Sequence, residues 1–260
     1  MRKTGRITWR FIWLGAEILL VALRFTLLFL RTLGQPSFRQ RAVCLHHGCR
    51  RVLRVMVNQI EVRGPVPVEG LLVSNHLSYL DILLLSAVSP GIFVSKYEVK
   101  SWPVFGWFAR LGGTVFVQRE RRGHVGEIST RIHALLEQGE LVFHFPEGTS
   151  SDGASVLPFK SSLLEPAIGQ QQRVFAAALE YRLPDGVVAQ DVCYWGDMTL
   201  APHFVKLLGK RFVQARVSFQ EVRQPATDRK ELAKQLHAEV VRLKSGPRSA
   251  NEPVAAGNSF

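Results

Sequence analysis

The stretch that decides the fold is residues 71–85, LLVSNHLSYLDILLL. Its apolar run Leu71–Val73 predicts a buried strand, and the apolar run that begins at Leu80 predicts a buried helix. The polar residues between them lie where the strand leads into the helix, and such loops often carry functional side chains. Ser78 is the predicted N-cap, so the helix is expected to begin near Tyr79.

Two residues of this stretch, His76 and Asp81, have the chemistry of a base and its orienting carboxylate. Asp81 is expected in the first helical turn, where the helix dipole favours a negative charge. From there its carboxylate can hold one imidazole nitrogen and leave the other nitrogen free to take a proton. A capping aspartate beside a solvated histidine has the same spacing, so the pair alone does not decide the function.

Two further segments place polar residues at the ends of predicted strands. The run Leu141–Phe145 leads into a Pro-Glu-Gly turn, which puts Glu147 at the carboxyl end of a strand, with glycine allowing close backbone approach. The run Gly112–Gln118 ends in Arg119, and arginine is suited to binding phosphate. Taken singly, each segment is equally compatible with a surface turn or a solvated charge.

In this order and spacing, the three segments resemble the glycerolipid acyltransferase family, which includes the bacterial 1-acyl-sn-glycerol-3-phosphate acyltransferases. His76 and Asp81 match the family's His-x4-Asp block. The run from Gly113 to Arg119 matches the second block. Residues Phe145–Thr149 match the third block, which in the family reads Phe-Pro-Glu-Gly-Thr-Arg-Ser.

The resemblance covers residues 55–225 and departs from the family pattern at two places. The usual arginine of the third block is Ser150 here, so one cation expected near an acceptor phosphate is missing unless another replaces it. The apolar strand at Val174–Leu179 matches the fourth block but lacks its usual proline. The cations that could replace the missing arginine are Lys96, Arg119 and Lys160.

The resemblance implies acyl transfer from acyl-CoA or acyl carrier protein to the free hydroxyl of a lysophospholipid, with no further cofactor. His76 would take the hydroxyl proton, and Asp81 would orient the imidazole and stabilise its cation. Arg119 would bind the acceptor phosphate, and Glu147 would hold acceptor hydroxyls or support the cations. The other substrate-binding residues that we expect are Gly148, Thr149, Lys96 and Lys160.

The sequence contains no Gly-x-Ser-x-Gly motif, so we expect direct transfer without an acyl-enzyme. Backbone amides near Gly148 are candidate donors to the oxyanion. Lysophosphatidate is the leading acceptor and would give phosphatidate. Because of Ser150, a lyso-ornithine lipid or another lysolipid is the alternative. A thioesterase and a catalytically silent membrane scaffold are the other functions considered, and the intact His76, Asp81 and Glu147 argue against the scaffold.

Charge and hydropathy predict a protein of the membrane surface. The net charge of +12 and the pI near 10.2 indicate an anionic partner, either nucleic acid or anionic lipid. Residues 1–60 contain 11 Lys or Arg and one acid, Glu17. Because this charge lies beside the apolar stretch Phe11–Leu33, we expect membrane phospholipids as partners and no nucleic acid.

The stretch Phe11–Leu33 is long enough to span a bilayer. Glu17 and Arg24 inside it would each cost roughly 2.5–3.5 kcal/mol at the centre of a lipid-exposed span. We therefore favour a helix or helical hairpin inserted into one leaflet over a single span or a soluble core helix. Residues Ser37–Val57 are predicted to form a second, basic amphipathic helix on phospholipid head groups.

Short strands alternating with helical stretches predict an α/β fold. We expect a mixed sheet flanked by helices, as in glycerol-phosphate acyltransferases, with a membrane-associated helical segment at 1–58, the α/β domain at 59–244 and a disordered tail at 245–260. The predicted strands are Leu71–Ser74, Ile92–Ser95, Thr114–Gln118, Leu141–Phe145, Val174–Ala178 and Arg211–Phe219. The predicted helices are Asp81–Val88, Trp102–Leu111, Gly126–Gln138, Thr199–Leu208 and Arg229–Lys244.

The three cysteines indicate a reducing compartment. Cys44 and Cys49 flank two histidines, but their spacing fits no common zinc pattern and no second cluster completes a site, so no metal is expected. Cys193 is isolated, and scattered thiols without a disulfide framework fit a reducing environment. We therefore expect a protein of the inner membrane whose active site faces the cytoplasm.

Overall fold

The computed structural model describes residues 3–118, 122–168 and 172–246. The helices in these ranges are α1 (Lys3–Arg31), α2 (Phe38–Met56), α3 (Leu80–Val88), α4 (Phe105–Leu111), α5 (Arg122–Glu137), α6 (Val188–Asp191), α7 (Leu200–Leu208) and α8 (Arg229–Ser245). The strands are β1 (Gln59–Arg63), β2 (Gly70–Ser74), β3 (Ile92–Lys96), β4 (Val115–Val117), β5 (Leu141–His144), β6 (Val174–Arg182) and β7 (Gln214–Glu221). Short 3-10 turns lie at Tyr97–Ser101 and Glu165–Ala167.

The described strands form one mixed sheet in the order β1-β7-β6-β2-β5-β3-β4. Strands β2 to β6 run parallel, whereas β7 pairs antiparallel with β6 and β1 runs parallel to β7. Every residue of β2 and β5 is buried. Such continuous apolar strands are typical of a sheet covered on both faces. The predicted α/β class with a mixed sheet is confirmed.

Two apolar layers lie on opposite faces of the sheet, because successive side chains of a strand point to opposite sides. Leu72 belongs to the layer that includes residues of α1, α2, α3 and α7. Leu71 and Val73 belong to the layer that includes residues of α5 and α8. Each fully buried leucine contributes roughly 1.5–3 kcal/mol relative to an exposed one. The central strand β2 is thereby held from both sides, and so is the turn that follows it.

Helices α1 and α2 pack antiparallel as a hairpin. Gly48 lies at their closest approach, where a Cβ atom would come within 2.6 Å of a methyl group of Val21. Nearby, the Glu17 carboxylate accepts hydrogen bonds from the Arg51 guanidinium at 2.5 and 2.8 Å and from the Trp13 indole at 3.0 Å. The acid that would make a lipid-exposed span costly is therefore paired inside the protein.

The outward face of α1 is apolar. Within the described residues, α1 is the one helix that is long and apolar enough to cross a membrane. Its buried side carries Arg10 and Glu17, whereas its large exposed side chains between residues 9 and 30 are apolar. The exposed large apolar residues of α1 are Trp9, Phe11, Ile12, Trp13, Leu19, Leu23, Leu27 and Leu30.

The second helix begins and ends where the sequence predicts. Ser37 is its N-cap, and a capping box joins Ser37 and Gln40 in both directions. The apolar face of α2 packs on α3 and α1, so it does not face lipid. Contact between the basic side of α2 and phospholipid head groups stays a prediction.

Several predicted boundaries are wrong by a few residues. Strand β7 begins at Gln214 rather than at Arg211, and β6 continues to Arg182. Helix α4 begins only at Phe105, because the chain first forms a 3-10 turn and Val104 then adopts a φ of 61°. Strand β1 was not predicted, although its residues alternate between polar and apolar as in other half-buried strands. Of the predicted tail, residues 247–260 lie outside the described residues.

Candidate active site

The carboxyl ends of three neighbouring parallel strands meet at one edge of the sheet. Strand β5 lies between β2 and β3, and its last residue, His144, is in register with Val73 and Val94. The turns that follow β2 and β5 therefore lie side by side. The first turn carries His76 and the second carries Glu147. Ligands of open α/β sheets bind at this kind of edge.

The structure brings His76 and Asp81 into contact. The Nδ1 atom of His76 lies 2.8 Å from Oδ2 of Asp81, whose side chain has no exposed surface. The same Oδ2 atom accepts hydrogen bonds from the backbone N–H groups of Leu77 at 2.6 Å and Ser78 at 2.8 Å. The assignment of Ser78 as the N-cap is wrong, because Tyr79 holds that position without a side-chain bond.

The His76 ring is oriented by its neighbours. It stacks on the ring of Phe145 with a centroid separation of 4.1 Å, and its side chain is 20% exposed. Its backbone N–H donates to Oε1 of Glu147 at 3.1 Å, and its carbonyl accepts from the N–H of Ser151 at 3.0 Å. With Nδ1 held by Asp81, Nε2 is the ring atom that can take a proton from a bound molecule.

Tyr181 is a site residue that the sequence analysis did not find. Its hydroxyl donates to Oδ1 of Asp81 at 2.7 Å from the buried strand β6. Burial and the neighbouring Asp81 charge raise the pKa of the Tyr181 phenol well above its usual value, so it remains a donor. The available signal was a tyrosine just after the apolar run Val174–Leu179, which fits core packing equally well.

Asn75 anchors the turn that follows β2 to strand β6. Its side-chain amide donates to the Leu179 carbonyl at 3.0 Å and accepts from the Leu179 N–H at 2.8 Å. This exchange continues the parallel pairing of β2 with β6, whose last register pair is Ser74 with Ala177. The turn that carries His76 is thereby anchored on both sides, by Asn75 to β6 and by Glu147 to the neighbouring turn.

Glu147 is buried beneath the His76 turn. Burial raises the pKa of its carboxyl group to about 7, and the charge of Asp81 adds to this effect. Hydrogen bonds from the backbones of His76 and Leu157 act in the opposite direction but are weaker than the effect of burial. Because Oε1 accepts the His76 N–H, this carboxyl group supports the turn.

The third sequence block forms a closed turn. Gly148 has a φ of 75°, which suits glycine, and its N–H donates to the Phe145 carbonyl at 3.1 Å. This amide is therefore engaged within the turn, and oxyanion donors among the other backbone amides near Gly148 stay a prediction. Thr149 follows and is exposed, and the Ser150 hydroxyl donates to the backbone carbonyl of Tyr194.

Two of the three expected cations lie beside the turns that carry His76 and Glu147. Lys96 is the exposed last residue of β3, at the same sheet edge as the His76 turn. Lys160 is also exposed, and its backbone N–H bonds the Pro146 carbonyl at 2.9 Å, which places it beside the third block. Arg119 lies outside the described residues.

The cysteine-histidine run on α2 has a structural role. Cys49 is fully packed, and burial raises the pKa of its thiol to about 12. His46 bonds the backbone carbonyl of Ser86 at 2.7 Å. In ranges 3–118, 122–168 and 172–246, no group of three or more His, Cys, Asp or Glu is arranged to hold a metal.

A histidine held by a buried carboxylate at the carboxyl edge of a mixed α/β sheet is the arrangement of a general-base catalyst. A family model described as Acyltransferase matches residues 59–179. A lyso-ornithine lipid O-acyltransferase of Brucella abortus is 38% identical over 219 residues, which cover 79% of this chain and 79% of that protein. The chain belongs to the acyltransferase family.

Other similarities agree with this assignment. A 1-acyl-sn-glycerol-3-phosphate acyltransferase of Neisseria meningitidis is 42% identical over 151 residues, which cover 57% of this chain. The crystal structure of the 1-acyl-sn-glycerophosphate acyltransferase of Thermotoga maritima has the same fold, with a TM-score of 0.50, 18% identity and coverage of 92% of this chain and 98% of that chain. The match spans only 58% to 65% of the length of four curated relatives of these two kinds.

Tyr181→Phe should lower kcat/KM for acyl transfer roughly tenfold, because a hydrogen bond to a charged group contributes about 1.5 kcal/mol or more. Without the phenol, Oδ1 of Asp81 loses the bond from Tyr181, so the carboxylate is held less firmly against the His76 ring. The loss should therefore appear in kcat, with the KM of the acceptor unchanged. Tyr79→Phe is the matched control, since its buried hydroxyl lies 3.0 Å from Nδ1 of His203 rather than near Asp81. An unchanged kcat in Tyr181→Phe would contradict this role.

Glu147→Gln should change how stability depends on pH. The unfolded carboxyl group loses its proton near pH 4.5 and the native group only near pH 7, so the wild type loses stability as pH rises between these values. Relative to the variant, the loss is roughly 3 kcal/mol. Urea unfolding in detergent, at pH values below and above this range, measures the difference in unfolding free energy between the wild type and the variant. An equally large pH-dependent difference for the exposed Glu127→Gln would rule out burial as the cause.

Proposed function

We propose that this chain is an O-acyltransferase that moves a fatty acyl group from a thioester to the free hydroxyl of a lysolipid. One observation carries the proposal: His76 lies 2.8 Å from a fully buried carboxylate and keeps its second ring nitrogen for an incoming hydroxyl. An alcohol is a weak nucleophile at neutral pH and needs such a base. Membership of the acyltransferase family supplies the reaction class.

The proposed reaction has two proton transfers. Nε2 of His76 takes the proton of the acceptor hydroxyl while its oxygen attacks the thioester carbonyl. The tetrahedral intermediate then collapses, the carbon–sulfur bond breaks, and the leaving thiolate takes the proton back from the imidazolium. The products are an ester and a free thiol, so no cofactor is required besides the donor. Asp81 stabilises the imidazolium between the two transfers.

Direct transfer is favoured over an acyl-enzyme. Within the described residues, the hydrogen bond of the His76 ring goes to a carboxylate and not to a serine or cysteine. Cys193 is the thiol beside the Asp81 network, and burial raises its pKa to about 12. A thiol with such a pKa is a poor nucleophile at neutral pH. The acceptor's own hydroxyl is therefore the proposed nucleophile.

Two acceptors are candidates, lysophosphatidate and lyso-ornithine lipid, after the relatives named for these activities. Ser150 favours the second. It replaces the arginine of the third block, and its hydroxyl bonds the Tyr194 carbonyl, so this position supplies no cation to a phosphate. Ornithine has a carboxylate and an ammonium group, so it has less need of a concentrated positive charge. The donor is acyl-CoA or acyl carrier protein.

We also propose that α1 lies in one leaflet, with the active site on the cytoplasmic face of the inner membrane. On its buried side, α1 is hydrogen-bonded to α2 through Glu17 and Arg51 and to α7 through Arg10. An α1 that spans the bilayer would therefore carry α2 and α7 into the hydrocarbon. An apolar groove of about 510 Å³ between α1 and α4 extends the outward face. Trp107 and Leu111 of α4 line it with Phe29 and Leu30, so part of the aromatic segment 102–108 faces this side.

The test of the reaction is acyl transfer by the purified full chain in detergent, with labelled acyl-CoA and acyl carrier protein against a panel of lysolipids. His76→Ala should reduce turnover by at least 100-fold, because general-base catalysis contributes about 10² to 10⁴ in rate. Circular dichroism and thermal unfolding check that the variant is folded. Near-normal turnover by a folded His76→Ala would overturn the mechanism, and thioester hydrolysis without ester formation would favour a thioesterase.

Ser150→Arg should shift the acceptor preference toward lysophosphatidate. An arginine at this position can form a charge-assisted bond to a phosphate, so the ratio of kcat/KM for lysophosphatidate over lyso-ornithine lipid should rise roughly tenfold. Ser150→Ala is the control, because it loses the bond to Tyr194 without adding a cation. If the alanine variant changes the ratio equally, the loop conformation and not the charge selects the acceptor.

A further inference from the structure

A second, polar cavity of about 350 Å³ lies between the first turns of α1 and the carboxyl end of α7. Lys3 of α1 packs over the backbone there, since a Cβ atom on Gly209 would come within 3.0 Å of its Cε atom. The charged residues that line the cavity are Lys3, Arg6, Lys206, Lys210, Arg211 and Asp185.

Some of these cations have partners inside the protein. The Arg6 guanidinium donates to the Gly209 carbonyl at 3.2 and 2.6 Å, at the end of α7 where the helix dipole favours a cation. Lys206 and Lys210 share the Asp191 carboxylate at 2.7 and 2.8 Å. These bonds fix the walls of the cavity and account for part of its charge.

The cavity nevertheless keeps a positive excess. Its five cations face two carboxylates, Asp185 in the wall and Asp191 behind it, so three positive charges are left over. The Asp185 carboxylate is engaged by the backbone N–H of Arg211 at 3.0 Å. The side chains of Lys3 and Arg211 are exposed and take part neither in capping of α7 nor in pairing with Asp191. An anionic ligand would complete the cavity.

The position of the cavity indicates which anion it meets. Lys3 and Arg6 lie on the side of α1 that faces the protein, opposite the apolar face. If the apolar face lies among acyl chains, the protein-facing side is at the depth of lipid phosphates. Exposed apolar side chains lie within two sequence positions of the charged lining residues, at Val187, Val205 and Phe212. Such a mixture of charged and apolar groups suits the membrane interface.

From these contacts we infer that the cavity binds the phosphodiester head group of an anionic phospholipid of the bilayer. The lipid phosphate sits among Lys3, Arg211 and Lys206, and its acyl chains follow the apolar face of α1. This site is separate from the His76 turn and holds a bilayer lipid rather than a substrate. It sets the depth and rotation of α1, and its occupancy does not require turnover.

The experiment compares binding of the full chain to phosphatidylcholine vesicles with and without phosphatidylglycerol, after transfer from neutral detergent. The measured quantity is the ratio of the two partition coefficients, which cancels the contribution of the apolar face. The double variant Lys3→Gln/Arg211→Gln should lower this ratio roughly 25-fold, because each cation near an anionic surface contributes about fivefold. Arg229→Gln/Lys230→Gln is the matched control, with the same charge change on exposed residues of α8.

The outcomes distinguish a specific binding site for anionic lipid from diffuse electrostatic attraction to the vesicle surface. A loss confined to the Lys3/Arg211 variant supports the cavity, whereas an unchanged ratio, or an equal loss in the α8 variant, overturns it. If the ratio is unchanged but the KM for acyl-CoA or acyl carrier protein rises, the cavity binds the thioester donor and the lipid assignment is wrong. The same binding measured on His76→Ala keeps this result independent of the proposed catalysis.

Discussion

The buried carboxylate of Asp81 is the interaction on which the site depends. A charge without exposed surface is costly unless hydrogen bonds compensate it. Here Oδ2 meets two backbone amides and the His76 ring, and Oδ1 meets the Tyr181 hydroxyl. These partners come from one turn and one strand, so the carboxylate joins β2, α3 and β6 at a single point. The imidazole is oriented as a consequence of satisfying this charge.

The central part of the fold could be predicted from the sequence because its signals are local. The apolar runs of β2 and β5 each end at turn residues. His76 lies in the turn after β2, and Asp81 lies in the first turn of the helix that follows. Strand β1 has only a five-residue alternation of polar and apolar residues, a weaker signal than a continuous apolar run. The 3-10 turn at Tyr97–Ser101 has no apolar run at all. From the sequence, Glu147 was expected to hold acceptor hydroxyls or to support the cations, and both roles stay predictions. The bond from its Oε1 atom to the backbone N–H of His76 could not be predicted.

Tyr181 and Asn75 show why the rest of the site required coordinates. Each acts through a partner about 100 residues away, Asp81 for Tyr181 and Leu179 for Asn75. Sequence spacing carries no information about such contacts, because several helices and strands lie between the two partners along the chain. The polarity of an isolated tyrosine in an apolar strand indicates only that its hydroxyl needs a partner. Register between β2 and β6 is what selects that partner.

The Glu17–Arg51 pair in the α1–α2 hairpin has a consequence for how the protein is assembled. An unpaired carboxylate inside an apolar helix opposes entry into lipid, and the pair forms only when α2 folds back along α1 across Gly48. If α1 enters the bilayer as proposed, closure of the hairpin removes the penalty of the unpaired Glu17 carboxylate. Membrane entry of the first helix and docking of the second would then be thermodynamically coupled.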